Sequence, residues 1–452
     1  MEDKVKELLR QGIVPTAENL GQVKEEVSNQ ETRVEITKEY NFVPHKITIS
    51  EFTKANRVRY SAMKTFLMKR SELQNAVSIK RAPQMDDRNT TIIGMVFNIA
   101  KLPTGTIRLE LEDPSGKIPA IISQKNEALM KKAEWITYDE VLGFIGGCSK
   151  GIFFVKDIIL PDIPQKQIPQ TEEDVYIVFS ADMHIGSNMF KEKEFNNFIL
   201  WLEGKYGDAK QKALAKKVKY VLFVGDVIDG VGVYPNQNRE LVILDIYEQY
   251  KALTAYLKRI PKDKKIIIAP GTHEGIRLEE PKPRIPKEYI PELSEMENVV
   301  LVTDPAHVRL HRVGGYPGIN VLMYHGDSFD YYIGTIDALR LAGGYDKGTE
   351  VIKYLLKRRS LSPSYGGQEV LPMSEDPLII YNVPDVIHSG HLHKGDTAFY
   401  KGVALIASSC FQGKTAFQEK LGHHPDYGKI TLMNLKNTKI SIFDFNEDSE
   451  LS

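Results

Sequence analysis

The feature that most constrains this chain is a series of hydrophobic runs in its second half, each ending in a short cluster of Asp or His. In chain order, the clusters are Ala181-Asp182-Met183-His184, Gly225-Asp226, Gly271-Thr272-His273-Glu274, His325-Gly326-Asp327 and Gly390-His391-Leu392-His393. Polar residues at the carboxyl ends of buried strands are where an open α/β sheet builds its sites. Because Asp and His bind divalent cations, the sequence predicts a two-metal hydrolytic site.

The hydrophobic runs have the length and composition of buried strands. The predicted strands are 175–179, 220–224, 266–269, 319–323 and 383–387, and helical patterns lie at 193–202 and 241–257. Strands that are apolar at nearly every position are typical of a sheet covered on both faces. Their alternation with helices predicts an α/β layered domain.

In the region before this domain, side chains alternate between apolar and polar, as in half-buried strands. Short strands are predicted at 91–97, 105–112, 117–122, 141–147 and 152–160, with turn signals between them. Five short strands with glycines to bend them favour a small Greek-key barrel of the OB type, with a generic β-sandwich as the alternative. An OB fold can bind single-stranded nucleic acid, but this segment has few aromatic residues, so a protein-interaction role is equally compatible.

These patterns divide the chain into four predicted segments. Residues 1–84 form a helical arm or docking segment, and 85–160 form the OB-fold domain. Residues 161–171 contain three prolines and are predicted to be an extended linker, and 172–452 form the metal-binding domain.

Composition and charge narrow the chemistry. Cys148 and Cys410 are the two cysteines of the sequence, so metal ligands must be His and carboxylate. A net charge of −1 argues against binding nucleic acid over the whole surface, although the basic stretch 353–359 is either a local contact for DNA or a partner, or a solvated helix face. Because the chain has neither a long apolar segment nor the pattern of a signal peptide, we expect a cytoplasmic protein without a membrane segment.

Spacing within the clusters suggests individual roles. Asp182 and His184 lie two residues apart and can chelate one cation, and His391 and His393 repeat that spacing. The Asp226 carboxylate can bridge two metals, and His273 can protonate a leaving oxygen. A structural histidine is the alternative at each position. However, five of the eleven histidines of the chain lie in these clusters.

The remaining histidines fit no such pattern. We expect surface or packing roles for five of them, and a sixth, next to the last cluster, is left open. The five are His45, His307, His311, His423 and His424, and the sixth is His388.

The ordered motifs D-x-H, G-D-x-x-D, G-N-H-[DE], a lone strand-end His and G-H-x-H make the chain resemble the calcineurin-like metallophosphoesterases. The surrounding residues are similar to those of small subunits of archaeal family D DNA polymerases over about residues 85 to 445. The similar segments include Ser180 to Ser187, Gly225 to Pro235, Asp245 to Tyr250 and Tyr324 to Asp330.

This resemblance implies a fold, an activity and a partner. The fold would be a layered β-sandwich flanked by helices, preceded by the OB-type barrel and the short helical amino-terminal segment. The activity would be 3′ to 5′ proofreading exonuclease action on a single-stranded DNA end. It would depend on two divalent cations, Mn²⁺ with Fe or Zn as alternatives. The partner would be the large catalytic subunit of the polymerase, away from any membrane.

The resemblance also assigns residues by matching motifs. Asp182, His184, Asp226 and His393 would hold one metal, and Asp226, His325 and His391 the second. His273 would be the catalytic acid.

One position departs from the family pattern. Thr272 stands where the family has Asn as a ligand of the second metal, and its hydroxyl lies closer to the backbone than an amide oxygen would. We therefore expect a weaker second site, or a water in place of the ligand, and a competent exonuclease that needs more metal. The main alternative is an assembly subunit with weak or no catalysis. A stand-alone phosphatase ranks last, since it does not explain the barrel.

Overall fold

A computed structural model describes residues 34–85 and 89–446 and contains a closed β-barrel followed by a two-sheet sandwich. The helices are α1 (Ile49–Leu67), α2 (Glu127–Ala133), α3 (Glu192–Leu202), α4 (Ala209–Lys217), α5 (Ile246–Leu257), α6 (Pro291–Ser294), α7 (Phe329–Thr335), α8 (Asp337–Leu341), α9 (Gly348–Lys357) and α10 (Ala416–Leu421). The strands are β1 (Val34–Lys38), β2 (Thr90–Lys101), β3 (Ile107–Asp113), β4 (Gly116–Ile122), β5 (Val141–Ser149), β6 (Ile152–Ile159), β7 (Tyr176–Ser180), β8 (Val218–Val224), β9 (Lys265–Ala269), β10 (Val299–Leu301), β11 (Ala306–Leu310), β12 (Ile319–Met323), β13 (Val386–Ser389), β14 (Asp396–Tyr400), β15 (Val403–Ala407), β16 (Lys429–Asn434) and β17 (Ile440–Asp444).

The barrel is built from the five short strands that the sequence predicts. Its strands close in the order β2-β3-β4-β6-β5. β4 and β6 pair in parallel, and the other pairs are antiparallel. Alternate residues point inward, so Ile107 and Leu109 of β3 are buried, whereas Arg108 between them is exposed. The helix α2 connects β4 to β5 and covers part of the barrel core.

The sandwich consists of two sheets that bury their facing sides against each other. The first sheet has the order β10-β9-β8-β7-β16-β17, and the second has the order β1-β11-β12-β13-β15-β14. Between them lie fully buried side chains such as Phe179 and Leu222 of the first sheet and Val321 and Ile406 of the second. Because both faces of the central strands are covered, these strands carry the apolar runs by which the sequence predicts them.

Helices cover the outer face of each sheet. α3 and α5 pack on the first sheet, and α7, α8 and α9 pack on the second. α5 begins at Asp245, whose carboxylate accepts the backbone N–H groups of Tyr247 and Glu248 at 2.9 and 3.1 Å. The layers are therefore helix, sheet, sheet, helix.

The amino-terminal segment differs from the predicted helical arm. Its first described residues form β1, which pairs antiparallel with β11, Val34 lying opposite Leu310. Val34 and Ile36 pack against the sandwich core, so this strand completes the edge of the second sheet. The helix α1 packs its Met63 and Leu67 against the barrel. The part of the predicted arm before residue 34 lies outside the described residues.

A buried polar contact joins the barrel to the sandwich. The Arg358 side chain, at the end of α9, donates to the Glu140 carboxylate at 2.5 Å, and the Tyr354 hydroxyl donates to the same carboxylate. The Arg358 side chain is 4% exposed and that of Glu140 is 1% exposed. Here Glu140, Tyr354 and Arg358 are called the interdomain cluster. The carboxyl end of the basic stretch is thus an internal contact. Across the described ranges, no helix is both long and apolar enough to span a membrane.

Candidate metal centre

The predicted site residues all follow strands, and the fold brings these strand ends together. Asp182 and His184 follow β7, and Asp226 follows β8. His325 follows β12, and His391 and His393 follow β13. β7 and β8 run parallel, as do β12 and β13, so within each sheet the carboxyl ends meet. The two sheets place both groups at one edge of the sandwich.

Distances show overlapping groups of ligand atoms at this edge. One ligand atom from each member of a group lies within 4.8 Å of the others. The groups are Asp182, His184 and His393; Asp182, Asp226 and His325; His325, Asp327 and His391; and His184, Asp229 and His273. All six predicted metal ligands, called the metal centre below, are therefore contiguous with the predicted acid His273.

The backbone of the metal centre is held in an unusual conformation. Asp182, His184, Asp226, His391 and His393 all have left-handed φ angles, between 50° and 70°. Such angles cost non-glycine residues of order 1 kcal/mol each and persist where the surrounding structure imposes them, commonly at functional sites.

Glycines at the strand ends make room for the ligand side chains. A Cβ atom at Gly225 would lie 2.0 Å from Nδ1 of His325. A Cβ atom at Gly271 would lie 2.3 Å from Oδ1 of Asp226. These motif glycines are thus required by close approach of the metal-centre residues.

The Asp226 carboxylate is the hub of the metal centre. Its Oδ1 accepts the backbone N–H groups of Thr272 and His273 at 2.6 and 3.0 Å, and its Oδ2 lies 3.3 Å from Nε2 of His325. Burial opposes ionisation, but His325 and His273 outweigh it and hold the pKa of Asp226 well below its usual range. Burial raises the pKa of Asp182 to about 7, and the negative charge of Asp226 adds to this shift. Asp226 is therefore the ionised partner.

Two histidines face each other beside Asp182. Nε2 of His184 lies 3.1 Å from Nε2 of His393. Nδ1 of His184 donates to Oδ1 of Asp229 at 2.9 Å, which fixes the ring and leaves Nε2 with its lone pair. Burial lowers the pKa of both imidazoles, so both are neutral, the form that binds metal. Asp229 was given no role from the motifs, although it is the second Asp of the G-D-x-x-D motif and could have been recognised there.

His325 provides the clearest observation on metal fit. Nδ1 of His325 donates to the carbonyl oxygen of Val224 at 3.1 Å. Its Nε2 is buried and faces Oδ2 of Asp226 at 3.3 Å, but it makes no hydrogen bond among the described residues. A buried ring nitrogen without a hydrogen bond is costly, and a bound cation would satisfy it. Carboxylates and imidazoles are a donor set for divalent cations, so the residues present fit such ions.

His391 is oriented from two sides. Its backbone N–H donates to the Asp182 carboxylate, and its Nε2 donates to Oδ2 of Asp330 at 2.8 Å. This arrangement leaves Nδ1 of His391 for another ligand. A carboxylate on the far nitrogen of a ligating histidine is the usual means of fixing its ring.

His273 and Thr272 lie beside Asp226 on the turn after β9. Nδ1 of His273 donates to the carbonyl oxygen of Asp229 at 2.6 Å, so its Nε2 is the nitrogen available to substrate. Burial lowers the pKa of His273, but Asp226 and Asp229 outweigh burial, and the net shift is upward. The Thr272 hydroxyl lies 3.2 Å from both Asp226 carboxylate oxygens and donates to this carboxylate.

A cavity of about 260 Å³ opens over the metal centre. Its walls include four of the predicted ligands and the two residues of the turn after β9, Thr272 and His273. They also include residues for which the sequence predicted no part in the site. The predicted residues are His184, Asp226, Thr272, His273, His391 and His393, and the additional residues include Tyr234, Asp330, Tyr345, Gln412, Gln418 and His423.

Two histidines outside the predicted site can now be placed. His423, expected at the surface or in packing, lies on the wall of this cavity with its ring 4.2 Å from that of Tyr345. His388, which the sequence left open, is fully buried and has its Nε2 2.9 Å from the Ser408 hydroxyl. Burial lowers the pKa of His388 to about 3, as expected for a neutral packing residue.

The comparisons with known proteins first give a class. Residues 175–395 match the model of the calcineurin-like phosphoesterase family. This range contains every predicted ligand and the predicted acid. The fold and the strand-end site thus belong to a metallophosphoesterase domain.

Curated relatives then narrow the class. The chain is 37% identical to the DNA polymerase II small subunit of Methanothermobacter thermautotrophicus, over 83% of this chain and 76% of that protein. It is 39% identical to the subunit of the same name from Archaeoglobus fulgidus, over 76% and 67%, and 34% identical to that of Thermoplasma acidophilum, over 88% and 78%. The chain belongs to the family of archaeal DNA polymerase II small subunits.

Proposed function

We propose that this chain is the 3′ to 5′ proofreading exonuclease subunit of a two-subunit archaeal DNA polymerase. The observation that carries the proposal is the convergence of six metal-ligand side chains and His273 in overlapping groups, with four of the six ligands and His273 on the wall of one cavity, in a member of this family. Phosphodiester hydrolysis is the reaction that such a constellation serves.

Two ligand sets would hold two divalent cations. Asp182, His184 and His393 would hold the first, and His325 and His391 the second, with Asp226 between them. When bound, such cations neutralise phosphate charge and activate the water that attacks phosphorus. Oxygen and imidazole donors suit Mn²⁺, which we propose as the native ion, with Fe and Zn as alternatives.

His273 would act as the general acid. Its Nδ1 is engaged by the Asp229 carbonyl, which presents Nε2 to the cavity. Its pKa is raised because Asp226 and Asp229 outweigh burial, which favours the protonated imidazole that a general acid needs. It can deliver a proton to the 3′ oxygen that leaves phosphorus and becomes the new 3′ hydroxyl of the shortened strand. The Thr272 hydroxyl would orient Asp226 rather than bind metal.

The depth of the metal centre favours a single-stranded end as the substrate. Asp182 and His325 are fully buried, and Asp226 is 2% exposed. The cavity over the metal centre has a volume of about 260 Å³, which is less than a duplex would occupy. An unpaired 3′ end, as at a mismatch, is smaller than a duplex.

The barrel and the partner complete the proposal. The closed five-stranded barrel, with a short helix between its third and fourth strands, supports an OB-type domain. We propose that the barrel and the sandwich act as one body that joins the large catalytic subunit and stabilises it. The cytoplasmic location stays a prediction.

The test measures Mn²⁺-dependent degradation of single-stranded DNA by the full chain copurified with its large subunit. His273→Ala should lower the rate about 10²- to 10⁴-fold, the usual contribution of a general acid, while two cations per chain are retained. Equal rates in wild type and variant would sink the catalytic role of His273.

Metal content separates this proposal from an assembly subunit without catalysis. The wild type should bind two Mn²⁺ ions per chain, and His391→Ala should lose one. A chain that copurifies with the large subunit but binds no cation, and does not degrade mismatched primers, would be an assembly subunit.

A further inference from the structure

Asp327, two residues after His325, carries a carboxylate oxygen that nothing in the proposed mechanism uses. One oxygen of this carboxylate lies within 4.8 Å of a ring nitrogen of both His325 and His391. The Asp327 side chain is 6% exposed. Its Oδ1 is buried and, within residues 34–85 and 89–446, has no hydrogen-bond partner.

The other oxygen of Asp327 is fully engaged. Oδ2 lies 2.6 Å from Nζ of Lys282, and Nε2 of Gln368 lies 3.5 Å from it. Lys282 is also shared with Glu280 at 3.3 Å and Asp304 at 3.0 Å. Lys282, Glu280 and Asp304 are fully buried, so three acidic groups surround a single lysine there.

Oδ1 of Asp327 and Nε2 of His325 are both buried and make no hydrogen bond within the described residues, although Nε2 faces Oδ2 of Asp226 at 3.3 Å. Asp327 and His325 belong to one group of potential ligands. Buried polar atoms are ordinarily satisfied, so two residues of one such group that each carry an unsatisfied atom point to a shared partner. A divalent cation is such a partner for an oxygen and an imidazole nitrogen together.

Thr272 is poorly placed to provide this oxygen. Its hydroxyl lies 3.2 Å from both oxygens of Asp226 and is committed to that carboxylate as a donor. Asp327 approaches from the opposite sheet, on the strand end that carries His325.

We propose that Oδ1 of Asp327 is a ligand of the second cation, together with Asp226, His325 and His391. The inference rests on the proposed two-metal function and adds an oxygen donor to it. Lys282 then acts as a positioning residue, since its ion pair with Oδ2 holds the carboxylate so that Oδ1 remains free for metal.

The first test measures Mn²⁺ binding to the full chain without DNA, by calorimetry and electron paramagnetic resonance. Asp327→Asn should weaken the second site at least about tenfold, as loss of a ligand charge does, and leave the first site unchanged. Glu280→Gln is the matched control. This substitution replaces one acidic partner of Lys282, but Glu280 shares no group of potential ligands with the metal-centre histidines. Its Mn²⁺ binding should equal that of the wild type.

Two results of this titration would overturn the inference. Unchanged affinity in Asp327→Asn would show that the carboxylate is no ligand. Equal weakening in both variants would show that charge around Lys282, rather than direct ligation, sets the affinity.

A second test remains valid if Asp327→Asn folds poorly. Asp327→Cys should select Cd²⁺ over Mn²⁺ and give a thiolate-to-cadmium charge-transfer absorption, because soft thiolates prefer soft metals. Glu280→Cys is the control for a buried thiol, and the wild type is the control for the natural cysteines. Absence of the absorption in folded Asp327→Cys would refute direct ligation.

These readouts separate the inference from the proposed function. Two Mn²⁺ ions bound with no DNA degradation would refute the exonuclease but not the ligand. No Mn²⁺ bound to the wild type would refute both.

Discussion

Two buried clusters of charged residues in this protein differ in how their charges are balanced. In the interdomain cluster, the Arg358 guanidinium neutralises the Glu140 carboxylate at 2.5 Å. In the metal centre, the ion-pair partners of Asp182 and Asp226 within the described residues are histidines. Burial keeps two of these, His184 and His393, neutral.

The interdomain cluster is part of the fold, whereas the metal centre is arranged as a site for a ligand. In the interdomain cluster an acid and a base face each other across an interface, although Oε2 of Glu140 makes no hydrogen bond within the described residues. Carboxylates and imidazoles that converge on a left-handed backbone form instead a donor set for divalent cations. Substitutions should therefore have opposite consequences in the two clusters: lost stability in one and lost chemistry in the other.

The largest effect is expected at the hub of the metal centre. Asp226→Asn should lower DNA degradation by about ten-thousandfold or more, roughly 5.5 kcal/mol, because this carboxylate lies between both ligand sets. Asp385→Asn is the matched control, since Asp385 is an equally buried carboxylate paired with Lys166 at 2.6 Å outside the site. The measurement is the rate with saturating Mn²⁺. Similar losses in both variants would contradict the distinction.

The next effect should appear in the interdomain cluster, as stability rather than rate. Arg358→Met leaves the Glu140 carboxylate buried without its cation and should lower the free energy of unfolding by about 3–5 kcal/mol. Adding Glu140→Gln should recover most of the loss, because the orphaned charge is removed. Urea unfolding measures both variants. The rate per folded molecule should stay at the wild-type value, and a large drop in that rate would join the two clusters functionally.

A pH titration tests the metal centre without any substitution in the interdomain cluster. Because the pKa of Asp182 is raised from 3.8 to about 7, the folded chain binds a proton that the unfolded chain has released over this window. The stability contributed by Asp182 is therefore present below pH 4 and is lost as pH rises to about 7, at about 1.4 kcal/mol per unit of pKa shift. We therefore expect the unfolding free energy of the metal-free wild type, taken relative to that of Asp182→Asn, to fall as the pH rises from 4 to 7. A difference independent of pH would contradict the raised pKa.

The smallest effect is expected at Thr272. Thr272→Asn adds an amide oxygen that extends farther than the hydroxyl and should lower the Mn²⁺ concentration for half-maximal rate severalfold, about 1 kcal/mol. The maximal rate should change little, since Asp226 keeps its backbone donors. Thr272→Ser retains the hydroxyl and is the control. An increase in the metal requirement with Asn would show that the Thr272 contact to Asp226 matters more than the added oxygen.

The sequence predicted the barrel strands and the central sandwich strands because each is decided by local pattern. Strands such as Ile319–Met323 are buried on both faces and so consist of consecutive apolar residues. The pairing of Val34–Lys38 with Ala306–Leu310 could not be predicted in this way. It joins segments about 270 residues apart, and nothing in five short residues specifies such a partner.

The site shows the same division. Motif spacing singled out the six proposed ligands and His273, which the fold brings together, and it also contained the signal for Asp229. It did not distinguish Asp327, whose significance comes from a lysine 45 positions earlier in the chain and from two histidines on the same sheet. The spacing also assigned the end of the basic stretch to a surface, whereas Arg358 is buried against the barrel.

The sequence by itself determined the barrel strands and the central sandwich strands, which of these end in Asp or His, and the family to which the chain is similar. These depend on hydrophobic period and on residues adjacent in the chain. Only the tertiary structure decided which carboxylates pair with an Arg or Lys and which face the histidines of the candidate metal centre. That decision depends on distances between atoms from distant segments and on burial, which makes an unpaired charge or lone pair costly.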